Sequence, residues 1–333
     1  MTNTRKDILF ISDLLNPPYD EGAKVVAKNM SDQLKDIFHC SQVNILDRKL
    51  YSYKAITSLI FNKSDFILYL PKASITFNSF LRAKFISMLS RKKVFLISTQ
   101  PRKYNLWHKF IIPLIQPYGL FVQSKEHAKK LESSKIKNVF INSWGVDSHK
   151  FHHVNGKTRN ELRRKYKIPE EKKVYLHFGH LKDNRNFSEL EPLLNNKENY
   201  VLIVCSTTTK QKFDLKNKLM GKGFNFITEF IEENQELYQL SDYYVFPILD
   251  PMAAIESPLS VFEALACGIP VFHKSFGALD DIFLDEYSNL RYYKNSEDLN
   301  KTSFKSNHIF PITDYTWEKV IRNMINQIEK AYE

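Results

Sequence analysis

Short apolar runs alternate with helical patterns along the whole chain, and this alternation constrains the fold more than any other feature of the sequence. Asp7–Ser12, Gln42–Leu46, Asp65–Leu70, Lys93–Ser98, Gly119–Ser124 and Asn138–Asn142 each read as a strand of four to eight residues. Helical patterns lie over Ala23–Phe38, Thr76–Ser90 and Glu126–Ser133. A polar, charged stretch over 148–171 follows, and then the pattern restarts. Lys173–Phe178, Tyr200–Val204, Phe224–Ile227, Tyr243–Pro247 and Ile269–Phe272 read as strands. Phe187–Leu194, Glu233–Leu240, Ser257–Ala266 and Asp314–Tyr332 read as helices. Such alternation predicts an α/β fold with mostly parallel, doubly wound sheets. We expect two such domains, 1–147 and 172–313, a linker over 148–171 and a C-terminal helix over 314–333. Open α/β sheets bind ligands at the carboxyl ends of their strands, so the cleft of a two-domain chain is the expected site.

At 333 residues, each half is long enough to bury its own core. A hydrophobic fraction of 43% with 26% charged residues excludes a disordered chain. The longest apolar stretches resemble Phe110–Ile115 and fall far short of the roughly 20 residues a spanning helix needs. Met1–Asp7 is polar and has no signal-peptide core. Cys40, Cys205 and Cys267 are too far apart in sequence to read as a disulfide framework or a metal cluster. The expectation is a soluble, cytoplasmic protein.

The formal net charge of +11 is uneven. Residues 1–150 hold 24 Lys and Arg against 11 acids, and residues 151–333 hold 24 against 26, so the halves carry +13 and −2. Residues 51–100 alone hold 8 basic residues and 1 acid. This asymmetry predicts an anionic partner for the first half. Nucleic acid, an anionic membrane and an acidic soluble substrate all satisfy it. No base-reading or stacking module is present, which argues against nucleic acid.

The chemistry concentrates in Asp250–Phe272. Ser257 reads as a helix cap and Pro258 as a first-turn residue, while Gly268 suits a left-handed C-terminal cap. Glu256 precedes the helix, and Glu263 lies two turns on near the same face. Free N–H groups at a helix start attract anions. A phosphate site beside two carboxylates suits a sugar nucleotide, whose diphosphate is flanked by polyols.

The stretch from Leu240 to Phe272 resembles the donor-site segment of family 4 glycosyltransferases, the glycosyl transferases group 1, which have the GT-B fold. That family has two glutamates separated by seven residues, an alanine-rich helix, Cys/Ser-Gly and a Pro-Val strand; here six residues separate Glu256 and Glu263. Gly119–Ser124, Asn142–Phe151 and Tyr315-Thr316-Trp317-Glu318 resemble further family segments in the same order. The likeness is strong over 119–333 and weak over 1–118.

The resemblance implies two Rossmann-like domains in a GT-B arrangement, with the C-terminal helix returning to the first. It implies retaining, metal-independent transfer from a nucleotide-diphosphate sugar to a glycan or lipid-linked acceptor, in cell-surface polysaccharide or glycoconjugate synthesis, with no cofactor. Glu263 would bind the donor ribose and Glu256 the transferred sugar, with the backbone of Ser257, Pro258, Leu259 and Ser260 at the diphosphate. The family's Gly-Arg-Leu and following Lys-Gly correspond to Gly179-His180-Leu181 and Arg185-Asn186, with Lys182 adjacent. Arg185 and Glu256 are thus the catalytic candidates. The family's Gly-Gly loop is represented by Glu21-Gly22, and Gln100 stands where a histidine is frequent. These departures leave a non-catalytic subunit of the same fold as the alternative. No Asp-x-Asp metal motif is present. The basic first half, through residues 77–113, is expected to meet an anionic membrane surface, on the inner face of the plasma membrane.

Overall fold

The computed structural model describes residues 6–48, 50–205, 213–285, 287–300 and 308–332. The chain divides into two compact units. The first comprises Met1–Trp144, Ile255–Ser257 and Trp317–Glu333, and the second Gly145–Ala254 and Pro258–Thr316.

In the first unit six strands, β1 (Asp7–Ser12), β2 (His39–Asn44), β3 (Phe66–Leu70), β4 (Lys93–Ile97), β5 (Gly119–Val122) and β6 (Val139–Ile141), form one sheet in the order β2-β1-β3-β4-β5-β6. Every pairing is parallel; Ile8 stands opposite Cys40 on one side and Phe66 on the other. β3 is buried at every residue, which is why it reads as an unbroken apolar run: strands covered on both faces have no solvent side to alternate with. The last helix, Trp317–Lys330, packs against the Gly22–Ile37 helix of the same unit. Tyr118 Oη anchors its end by donating to Ala331 O at 2.6 Å.

The second unit repeats the plan with β7 (Lys173–Phe178), β8 (Asn199–Val204), β9 (Asn225–Ile227), β10 (Tyr243–Phe246), β11 (Val271–His273) and β12 (Leu290–Tyr292), in the order β12-β11-β10-β7-β8-β9. These pairings too are all parallel. Each unit is therefore a doubly wound Rossmann-like sheet, as expected.

Local differences have local causes. The second strand lies earlier than its apolar residues indicate, at His39–Asn44, because a short helix takes Ile45–Arg48. Phe187–Asn195 is a 3-10 segment that includes Pro192, whose missing N–H and ring disfavour an α-helix interior. Helices Tyr53–Ile60 and Leu106–Ile115, and the edge strand β12, went unread in the sequence. Part of the charged 148–171 segment forms the Gly156–Lys165 helix.

Candidate functional site

The helix after β10 begins at Leu259 and ends at Ala266. Ser257 does not cap it, contrary to the sequence expectation: Pro258 occupies the cap position, and no side chain satisfies the first N–H groups. The cause is covalent. A proline holds the residue before it out of helical backbone, so Ser257 lies one step too early. Its hydroxyl instead lies 3.3 Å from Ser143 Oγ in the first unit. Gly268 ends the helix at φ +74, the left-handed value expected of it.

Glu263 sits on this helix, 8% exposed. Tyr238 Oη donates to its Oε2 at 2.6 Å, and its other oxygen takes no hydrogen bond from the described residues. Burial pushes the carboxyl up to about 7, against the smaller opposing pull of the Tyr238 hydrogen bond and Lys150. Burial and the neighbouring carboxylate raise Tyr238 too, so its proton stays on the phenol. Tyr238 stacks on Phe178, the last residue of β7, at 4.8 Å.

Gly179 follows Phe178 directly. A Cβ there would stand 2.8 Å from His177 Nε2 and 3.0 Å from Arg185 Nη1, so only glycine lets these side chains approach the backbone turn. His177 is fully buried, and its Nδ1 bonds Val245 O at 2.9 Å. Burial lowers it to about 3, so the imidazole is neutral, with the proton on Nδ1 and a bare Nε2. That Nε2 has no partner among the described residues.

Arg185 lies in the 3-10 turn Asp183–Arg185 and is 7% exposed. Among the described residues its Nε has no partner, and no carboxylate pairs with the guanidinium. Burial lowers it to about 10, so it remains a cation at neutral pH. Asn186, at φ 58, fastens the turn by donating to Pro247 O at 3.0 Å, and Asn184 donates to Asp250 Oδ2 at 2.8 Å. The Tyr244 phenol lies within electrostatic reach of Arg185 and donates to Ser260 Oγ at 2.7 Å. Lys182 is exposed, and His180 is half-buried. The second unit thus gathers Gly179, His180, Lys182, Arg185, Leu259, Ser260 and Glu263 at the carboxyl ends of β7 and β10. Tyr244 and His177, from strand-like runs, and Tyr238, from a helical pattern, join them without any further sequence signal.

Glu256 packs elsewhere, in the first unit. It is 3% exposed. Ser124 donates to Oε1, His127 Nδ1 lies 2.8 Å from Oε2, and Gln123 N lies 3.5 Å from Oε2. Its own N–H donates to Thr99 O at 2.8 Å. Ser124 also caps the Lys125–Ser133 helix, accepting from His127 N at 3.1 Å, so one short segment builds the whole receptor for the carboxylate. Glu256→Ala should lower stability by about 3 kcal/mol, because Ser124 and His127 lose their acceptor in a buried site, whereas Glu256→Gln, which keeps a carbonyl there, should cost about 1 kcal/mol. Urea unfolding measures both, and an unchanged midpoint in the alanine variant would contradict the cluster. In the same unit, the Gln100 N–H donates to Ser74 Oγ at 2.9 Å. Gly22 opens the Gly22–Ile37 helix, exposed, with no side-chain cap. No three His, Cys, Asp or Glu side chains among the described residues converge on a point that would hold a metal ion.

Comparison with known proteins bears on the fold and the family. Residues 158–303 match the family described as glycosyl transferases group 1. No curated protein matches the chain. Among solved structures, a glycosyltransferase from Rickettsia africae is 12% identical over 99% of both chains, with a TM-score of 0.75. HepE of Anabaena, solved with UDP, is 13% identical over 97% of this chain and 100% of its own, with a TM-score of 0.73. Sucrose-phosphate synthase from Thermosynechococcus elongatus is 13% identical over 98% and 99%, with a TM-score of 0.72. The chain is a GT-B fold protein, and its second unit carries the match to the glycosyl transferases group 1.

Proposed function

We propose that this protein is a retaining, metal-independent glycosyltransferase. It moves a sugar from a nucleotide-diphosphate sugar to a glycan or lipid-linked acceptor in cell-surface polysaccharide or glycoconjugate synthesis. The observation that carries this reading is Arg185, a buried cation with no carboxylate among the described residues, beside a glycine turn at the strand ends of the matched unit. A cation held out of water without a counter-ion is poised for an anionic ligand.

Glycosyl transfer builds positive charge on the sugar ring and negative charge on the departing diphosphate. In this reading Arg185 and the uncapped N–H groups at Leu259 and Ser260 meet that negative charge where water is scarce and the attraction strongest. Lys182 and His180 flank the phosphate path. The uncommitted oxygen of Glu263 accepts from the ribose hydroxyls, with Tyr238 fixing the carboxylate plane. The retaining course and the absence of a metal requirement follow from the family resemblance. HepE, of the same fold, has been solved with UDP-glucose, which makes UDP-sugars the first donors to try.

One observation favours the second reading, a non-catalytic subunit that binds nucleotide sugar or supports a partner enzyme. Both oxygens of Glu256, the residue the resemblance assigns to the transferred sugar, are taken by Ser124, His127 and Gln123. A panel of nucleotide sugars, with and without EDTA, tests both. A rise in melting temperature with one donor, and donor hydrolysis or transfer that persists in EDTA, support the enzyme, and NMR of the product reads the anomeric outcome. Binding with no turnover supports a nucleotide-sugar-binding subunit, and no binding at all sinks the enzyme and leaves only a subunit that supports a partner enzyme.

A further inference from the structure

Three helices of the first unit, Tyr53–Ile60, Phe77–Ser90 and Leu106–Ile115, pack side by side in one layer. In the third, only Ile112 is buried. Leu106, Trp107, Phe110 and Leu114 are 73, 76, 74 and 77% exposed. At 3.6 residues per turn these four side chains occupy an arc of about 100°, on the side of the helix opposite Ile112. An amphipathic helix in a globular unit ordinarily turns such a stripe inward; this one turns it to water. The neighbouring helix extends the surface with exposed Leu81 and Met88, and with Lys84 on the same face between them.

The surroundings are cationic. From Tyr51 to Tyr118 the chain carries 11 Lys and Arg and a single acid, Asp65. Lys103 and Lys109 are exposed beside the stripe, as are Lys84 and Arg91 on the middle helix.

We propose that this face docks on an anionic lipid bilayer, with Trp107, Phe110, Leu106 and Leu114 entering the headgroup boundary and the surrounding lysines resting on lipid phosphates. The chemistry distinguishes this occupant from a protein. Protein interface cores are depleted in lysine, yet eight of the eleven basic residues here are lysines. A second copy of the chain would set this cationic face against another like it. A bilayer accepts an amphipathic helix lying in its plane, an interfacial tryptophan and lysines that reach up to the phosphates. Each basic residue near an anionic leaflet adds roughly fivefold to the affinity. No helix among the described residues is long and apolar enough to cross a membrane, so the contact is peripheral.

The test uses the full chain and vesicles of phosphatidylcholine with phosphatidylglycerol, against phosphatidylcholine alone. The protein should sediment with the mixed vesicles and be released by added salt. Trp144 and Trp317 are buried, so a blue shift and loss of acrylamide quenching on binding report on Trp107. Phe110→Ser with Leu114→Ser, and separately Lys103→Glu with Lys109→Glu, should each weaken vesicle binding about tenfold or more, with the melting temperature unchanged because all four positions are exposed. Failure to bind the mixed vesicles, or binding by both double variants as tight as that of the wild type, overturns the proposal. So does a dimer seen by light scattering and dissolved by Phe110→Ser, which would assign the face to a second copy. The assay contains no nucleotide sugar, so its outcome is separate from that of the transfer reaction.

Discussion

Arg185→Met should make the ligand-free protein more stable and the enzyme nearly inactive. The guanidinium is 7% exposed, and among the described residues its Nε is unsatisfied and no carboxylate faces it. Replacing it with an apolar side chain of similar length removes a desolvated charge, a gain of about 1–3 kcal/mol by analogy with buried ion pairs replaced by apolar residues. Turnover should fall by about 10²–10³, the usual loss when one preorganised donor to a developing negative charge is removed. The rise in melting temperature given by a nucleotide sugar should vanish with it. Calorimetry with and without donor, together with steady-state kinetics, measures all three. A variant that is less stable yet still turns over would show that Arg185 is a packing residue.

Glu263→Gln should raise stability and weaken donor binding relative to wild type, both increasingly as the pH rises through about 7. Folded Glu263 holds its proton up to about pH 7, whereas an unfolded glutamate releases it near 4.5. In that window the native state binds more protons, so the contribution of this residue to stability is full below about pH 4.5 and declines as the pH rises through 7. Displacing a carboxyl from 4.5 to about 7 corresponds to about 3 kcal/mol above pH 7. Glutamine never ionises and can still accept from Tyr238, so the variant should be more stable than wild type at pH 8 and no more stable at pH 4.5. Donor affinity should move the other way: wild type should bind more tightly as the pH passes 7 and the carboxylate forms. The variant should show no such rise and bind about 10–100-fold more weakly, the worth of hydrogen bonds to a charged acceptor. Parallel pH profiles for the two proteins would exclude a buried, titrating Glu263.

Both predictions describe a stability sacrifice concentrated at a ligand site, in a molecule whose architecture is otherwise plain in its sequence. Ten of the twelve strands among the described residues lie where the apolar runs place them, because a parallel strand covered on both faces must be apolar throughout. β2 is displaced by a neighbouring helix, and β12, an edge strand of three residues with Arg291 at its centre, has no apolar run to announce it. In the candidate site, Gly179, Arg185 and Glu263 were legible through family motifs. Tyr238 and His177 were not, since an aromatic in a helical pattern or a histidine in a strand-like run looks like core until its partner is known.

Local order is what the sequence determined by itself: strand and helix periodicity, the glycine at φ +74 after the helix that ends at Ala266, and the basic excess of the first half. Those properties depend on neighbours a few positions apart. Tertiary structure decided the rest. It placed Glu256 against His127, 129 positions away, rather than with Glu263. It buried Glu263 and Arg185, and burial is the largest cause of their shifted proton affinities. It also turned Trp107 and Phe110 outward. A stripe at helical spacing has the same period whether it faces a core or a bilayer, so only the packing of Ile112 fixes which side meets water.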